Sequence, residues 1–167
     1  FFHEVKSLVN LHKLEVEILN CKVLKNKELL NEDKIILGKL SDNVCTMFTS
    51  GTSGPSKGVM MPNAHCVLFA IGTIENYNLK DDHTFYISLP LFHANGLFMQ
   101  LLACIMTGAK AVIRTRFSAS NWLNDIRNYN ITHTNMLGAI AAFIVAQPPT
   151  KYDKEHNLEV IGSAPLP

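Results

Sequence analysis

An α/β fold, with a mainly parallel sheet and flanking helices, is what this sequence predicts from Val44 onward. Two observations carry that expectation. Short β-rich runs alternate with apolar stretches of helical length, which is the pattern of βαβ units. A loop rich in glycine and hydroxyl side chains, Thr49-Ser50-Gly51-Thr52-Ser53-Gly54-Pro55-Ser56-Lys57-Gly58, directly follows an apolar strand-like run. Open α/β sheets place their ligands there, outside the carboxyl ends of strands.

The elements follow in order. Val5, Leu8, Val9 and His12 fit one helical face, and Val16 to Leu24 reads as strand-like. Val44 to Phe48 reads as a buried strand entering the loop, and Gly58 to Met61 is a second short apolar run. Pro62 stands where a helix favours its first residue, and Ala64 to Tyr77 is apolar enough for a helix packed on a sheet. Asp81-Asp82 makes a turn, and Thr84 to Leu89 is a β-rich strand. Asn95 and Gly96 open a helix that Gly108 ends, with Leu97, Leu101, Cys104 and Ile105 on its buried face. Ala111 to Arg114 is a short strand. Ser118 or Ser120 caps the next helix, in which Trp122, Leu123, Ile126 and Tyr129 follow helical spacing. Ile131 to Asn135 is a strand, Leu137 to Ala146 a helix stopped by Pro148-Pro149, and Val160-Ile161 a short strand leading into Gly162.

Composition narrows the function classes. At 167 residues, 47% hydrophobic and 17% charged, the chain has the make-up of a soluble globular protein with a substantial core. A net charge of +1 without a basic block gives no nucleic-acid footprint, and Lys22, Lys25 and Lys27 read as a solvated face. Four widely spaced cysteines (Cys21, Cys45, Cys66, Cys104) include no C-x-x-C pair and suit a reducing cytoplasm. His3, His12, His65, His83, His133 and His156 show no metal-ligand spacing. No signal peptide opens the chain, and its apolar runs fall short of the ~18 residues of a membrane span.

The Thr49–Gly58 stretch reads as a polyphosphate cradle. Glycine lets backbone N–H groups turn inward towards an anion, hydroxyls add donors, and Lys57 supplies a point charge. It is not a Walker A loop, because Ser56 precedes Lys57 and Gly58 follows it. A flexible linker is the plainer alternative, but a linker has no need of a lysine or of apolar runs abutting both sides. His93, between Leu91-Phe92 and Leu97-Phe98, reads on its own as a core histidine. Gly162 to Pro165 on its own reads as a turn.

Three stretches resemble, in order, the signature elements of the adenylate-forming (AMP-binding) superfamily. Thr-Ser-Gly-Thr-Ser-Gly-x-x-Lys-Gly at 49–58 is similar to its phosphate loop, Pro90-Leu91-Phe92-His93-Ala94-Asn95-Gly96 to its Pro-Leu-Phe-His-x-x-Gly element, and Gly162-Ser163-Ala164-Pro165-Leu166 to its Gly-Gly-Ala-Pro-Leu element. The resemblance implies part of a larger N-terminal domain, with 1–43 a variable lead-in and 44–167 the nucleotide-binding core. It implies an AMP-forming acyl-CoA synthetase that uses ATP, Mg2+ and CoA to turn a carboxylic acid into an acyl-adenylate and then a thioester. Thr49, Ser50, Gly51, Thr52, Ser53, Gly54 and Lys57 would cradle the phosphates, with Thr52 and Lys57 acting in the adenylation step. His93 would donate to charge developing at the α-phosphate, and Gly162, Ser163, Ala164 and Pro165 would lie along the adenine. The chain departs from the pattern at Ser56, where the family carries proline, and at Asn63, where it often carries histidine; Asn63 is expected to support the helix start. The family's later elements, including its Mg2+-linked glutamate, its ribose-binding aspartate and its C-terminal lysine, find no counterpart, so these residues alone are expected to be inactive or nearly so. Gln147-Pro148-Pro149 with His156-Asn157-Leu158 is similar to carnitine and crotonobetaine CoA ligases. An adenylation domain loading a carrier protein and a non-catalytic nucleotide-binding remnant are the competing readings.

Overall fold

The computed structural model describes residues 38–49 and 54–165. The expectations for Val5 to His12, for Val16 to Leu24 and for Lys22, Lys25 and Lys27 lie outside the described residues, as do Cys21, Leu166, Ser50, Gly51, Thr52 and Ser53.

Four parallel strands form the centre, in the order β4-β3-β5-β6: β3 is Thr84–Ile87, β4 Lys110–Ile113, β5 His133–Met136 and β6 Val160–Ser163. Every residue of β3 is buried, as a central strand of a parallel sheet requires. Its side chains alternate between two cores. Phe85 and Ile87 face Ala70 of helix α1 (Asn63–Tyr77) and Ala103 and Cys104 of α2, which is a π-wound stretch, Asn95–Leu102, running straight into the α-helical turn Ala103–Thr107. Tyr86 faces the other way, onto Trp122 and Ile126 of α3 (Ala119–Asn128), with Ile140 and Ile144 of α4 (Gly138–Val145) packed against the same cluster. Two helices thus cover each face, as expected for an α/β fold. On the second face the Tyr86 hydroxyl donates to Asp125 Oδ2 (2.9 Å), which also receives Arg114 Nε (3.2 Å). Asp125, not Tyr129, fills the inner helical position; Tyr129 is 41% exposed.

Two expectations need correction. The strand β1 (Asn43–Phe48) does not join the parallel sheet as a buried strand. It pairs antiparallel with β2 (Gly58–Pro62) in a separate two-stranded ribbon. Cys45 and Met47 pack inward against Met61, Cys66 and Phe98, while Val44 and Phe48 are exposed. A short apolar run cannot by itself distinguish a half-exposed ribbon from a buried strand. The second correction is the inner face of α2. Cys104 is buried as expected, but Ile105 is 67% exposed, and Gly96, Phe98 and Gln100 point inward. The expectation used α-helical periodicity, whereas π winding closes i→i+5 hydrogen bonds and rotates each residue less about the axis.

Smaller differences concern caps. Pro62 closes β2 and precedes α1 by one residue, and Ser118 takes the N-cap position of α3 without a capping side-chain bond. Asn63 anchors the start of α1, its N–H donating to Asp42 O and its Nδ2 to Lys39 O (2.9 Å each). The other end of α1 is held by buried His133, whose Nε2 lies 3.0 Å from the Tyr77 carbonyl and whose ring stacks on His83 at 4.3 Å.

Burial holds the His133 imidazole below its ordinary pKa and outweighs the opposing Tyr77 carbonyl, while His83 adds a lesser push downward and Glu159 a lesser one upward. The unfolded chain therefore binds a proton near pH ~6.5 that the folded chain refuses until lower pH. Stability is complete above that unfolded value and falls as pH drops through it. Urea unfolding should show a falling midpoint between pH 7 and pH 5, with a shallower fall in His133→Gln. Parallel profiles for the two proteins would assign the acid sensitivity to other groups.

Candidate active site

The loop leaves and re-enters the ribbon between Thr49 and Lys57. The Thr49 N–H donates to the Lys57 carbonyl (3.0 Å), and the Thr49 hydroxyl reaches the same oxygen at 3.5 Å, the long limit for such a bond. This pair closes the last rung of the ribbon. Gly54 sits at φ 146°, a conformation that side-chain-bearing residues rarely adopt, and both Gly54 and Lys57 are exposed. The other expected phosphate contacts, Ser50, Gly51, Thr52 and Ser53, lie outside the described residues.

His93 follows β3 on the carboxyl edge of the sheet. It is exposed, so the core-histidine alternative is set aside. A turn closed by the His93 N–H on the Pro90 carbonyl (3.1 Å) places it, and Nδ1 accepts the Asn95 N–H at 3.3 Å. With Nδ1 engaged as an acceptor, the proton of the neutral ring belongs on Nε2. Gly96 is required for this geometry. A Cβ there would lie 2.5 Å from the Pro90 carbonyl oxygen and 2.8 Å from that of Leu89, both backbone atoms that cannot swing aside.

Behind His93 a run of amides crosses the top of the sheet. Gln100 Nε2 donates to Asn95 Oδ1 (2.8 Å), Asn95 Nδ2 to Asn135 Oδ1 (3.3 Å), and Asn135 Nδ2 to the Tyr77 hydroxyl (2.8 Å). The Tyr77 hydroxyl in turn lies against Gly162, which faces Asn135 in the β5–β6 register; a Cβ on Gly162 would collide with the Tyr77 phenol ring. Beyond it the Ala164 N–H donates to the Met136 carbonyl (3.4 Å), Ser163 Oγ reaches the Pro165 carbonyl (3.5 Å), and Ala164-Pro165 is a cis peptide. His93 and the Gly162–Pro165 turn thus stand on one edge, joined by side chains. The ribbon carrying Lys57 reaches this edge less directly, through the cluster of Met61, Cys66 and Phe98 on which Ala94 also packs.

Sequence reasoning passed over Tyr77, Gln100 and Asn135. The available signal was a lone amide inside an apolar run, Gln100 within Leu97 to Met106 and Asn135 before Met136-Leu137, since a buried amide must find partners. Among the described residues no group of three or more His, Cys, Asp or Glu could hold a metal ion. Gln147, Pro148, Pro149, His156 and Leu158 line an open groove of about 900 Å3 beside α3 and α4, which neither His93 nor Gly162 lines.

Residues 5–167 match the family described as AMP-binding enzyme. The chain belongs to the AMP-binding enzyme family. Long-chain fatty acid transport protein 6 of Mus musculus is 28% identical over 125 residues, 75% of this chain and 20% of that protein. The medium/long-chain-fatty-acid–CoA ligase FadD17 of Mycobacterium tuberculosis is 30% identical over 122 residues, 73% of this chain and 24% of that one. This AMP-binding chain therefore spans about a fifth to a quarter of the length of these relatives. Among solved structures, O-succinylbenzoate coenzyme A synthetase of Bacillus subtilis in complex with AMP superposes with a TM-score of 0.65 at 25% identity, covering 75% of this chain and 32% of that one. The inhibitor-bound N-terminal domain of FACL13 from Mycobacterium tuberculosis gives 0.70 at 23% identity, covering 82% and 34%, a likeness of fold alone.

The Tyr77–Gly162 contact is testable in this AMP-binding chain. Gly162→Ala should destabilise by about 1–3 kcal/mol through overpacking, and the penalty should shrink in a Tyr77→Ala background, where the ring is gone. Equal penalties in both backgrounds, measured by denaturant unfolding, would show that the methyl group meets something else.

Proposed function

We propose that the protein carrying this chain is an AMP-forming acyl-CoA synthetase. It would activate a carboxylic acid with ATP to an acyl-adenylate and pass the acyl group to CoA as a thioester. The observation that carries the reading is the exposed His93, whose Nδ1 is occupied and whose Nε2 has no partner among the described residues, on the same sheet edge as the Gly162 turn. Membership of the AMP-binding family supports ATP as the activating substrate, and the named fatty-acid–CoA ligase relatives support a fatty acid as the acid.

The chemistry follows from charge. A carboxylate oxygen attacks the α-phosphorus, its bond forming as the bond to the pyrophosphate oxygen breaks. The nucleophile is already ionised and needs no general base. Negative charge grows on the non-bridging oxygens of the attacked phosphorus, and a preorganised donor such as His93 Nε2–H stabilises it there. Lys57 and the donors of the 49–58 loop would neutralise the β- and γ-phosphates that leave. Gly162, Ser163, Ala164 and Pro165 would form the strip beside the adenine, with the space beside the Gly162 Cα taken by the Tyr77 phenol.

Two measurements on the full-length protein test this reading. Lys57→Ala should lower kcat/KM for ATP by roughly tenfold to a hundredfold, the loss of one charge-assisted contact, while KM for the acid stays nearly constant. Unchanged ATP kinetics would remove Lys57 from the cradle. His93→Ala should slow acyl-adenylate formation by at least about tenfold and slow thioester formation from supplied acyl-adenylate less. Equal losses in both half-reactions would make His93 a wall of the acyl pocket instead.

A further inference from the structure

We propose that Asn135 is a positioning residue for adenylation, holding the His93 ring through Asn95 and tying it to the Gly162 turn through Tyr77. The inference rests on the role of His93 given above. Asn135 lies at the end of β5, between the strands that lead to the two halves of the site, and its amide has one partner on each side: Asn95 Nδ2 at 3.3 Å and the Tyr77 hydroxyl at 2.8 Å. Asn95 in turn supplies the backbone N–H that occupies His93 Nδ1. A shift of Asn135 therefore reaches the imidazole and the Gly162 turn together.

The winding of α2 supports this reading. In an ordinary α-helix, residues five apart stand about 140° around the axis, too far for a side-chain bond. Asn95 and Gln100 are five apart and bonded at 2.8 Å, which the i→i+5 geometry of the π-wound stretch permits. Gln100 is fully buried, and its Nε2 also reaches the Asn135 carbonyl at 3.5 Å, while its Oε1 has no hydrogen-bond partner among the described residues. A buried orphan acceptor is destabilising, as is rare helical winding, and neither is needed to cover the sheet. Both are accounted for if the placement of Asn95 is what the segment must secure. Local departures of this kind gather where geometry serves a site.

The test uses the full-length protein and separates ring placement from activity. Selective 15N labelling of histidine reads the His93 tautomer directly. Asn135→Ala should move the His93 nitrogen signals from a single Nε2–H form towards a mixture, slow acyl-adenylate formation by about tenfold or more, and leave KM for ATP nearly unchanged. In a His93→Ala background the same change should add less than about twofold. Unaltered His93 nitrogen signals in Asn135→Ala would overturn the proposal, as would an equal fold-loss in both backgrounds. Should Asn135→Ala fail to fold, Tyr77→Phe removes only the hydroxyl partner of Asn135 and should give the same pattern at smaller amplitude; additivity there also overturns it. If His93→Ala leaves adenylation untouched, the catalytic reading of His93 fails, and the nitrogen signals alone still decide whether Asn135 holds the ring.

Discussion

Phe85 and Ile87 on one side of β3 and Tyr86 on the other anchor two separate cores, and nearly everything else hangs on that division. A strand buried on both faces cannot slide by one residue without moving apolar groups to the wrong core and stranding the Tyr86 hydroxyl away from Asp125. Its register is therefore sharply fixed, and so is the point at which the chain leaves the sheet. Pro90 to His93 begin at that exit, and Gly96 brings the chain back against the carbonyls of Leu89 and Pro90. The place of His93 is set by a packing constraint that lies under the sheet edge.

What happens above that edge is electrostatic. Tyr77, Asn135, Asn95 and Gln100 come from α1, β5 and α2, and their hydrogen bonds run in a single direction, each amide donating to the next acceptor. In surroundings with little water such bonds are strong and reinforce one another, and a missing partner is costly. The apolar layers set the distances between elements, and the amide run fixes the orientation of what they carry. Phe98 belongs to the packing and Gln100 to the run, two residues apart on one segment.

The alternation of strands and helices was legible in the sequence because glycine, proline and β-branched residues punctuate it clearly, and each strand from β3 to β6 lies within a few residues of its expected place. The ribbon was not legible as such. Val44 to Phe48 carries the same apolar composition as a buried strand, and only its partner, Gly58 to Pro62, reveals that one face is exposed. The face of α2 was misread because periodicity assumes a winding, and nothing between Asn95 and Leu102 announces one other than α-helical. His93 was found by its motif and not by its surroundings, which on composition alone suggested burial. Tyr77 and Asn135 stayed hidden for another reason: they are 58 positions apart, and a contact between two modest polar residues leaves no local trace.

The π-wound stretch of α2 also bears on how this segment can change length. Helices on a sheet usually tolerate drift in sequence as long as their apolar stripe survives. Here the loss of a single residue between Asn95 and Gln100 would let the backbone settle into common winding, keeping the helix and its hydrophobicity. With one residue fewer, Asn95 and Gln100 would stand four apart, on one face of a common α-helix, where a side-chain bond is still within reach. Common winding adopted at the present residue count would instead set the two about 140° apart around the axis, so winding and residue count inside Asn95–Leu102 can change only together.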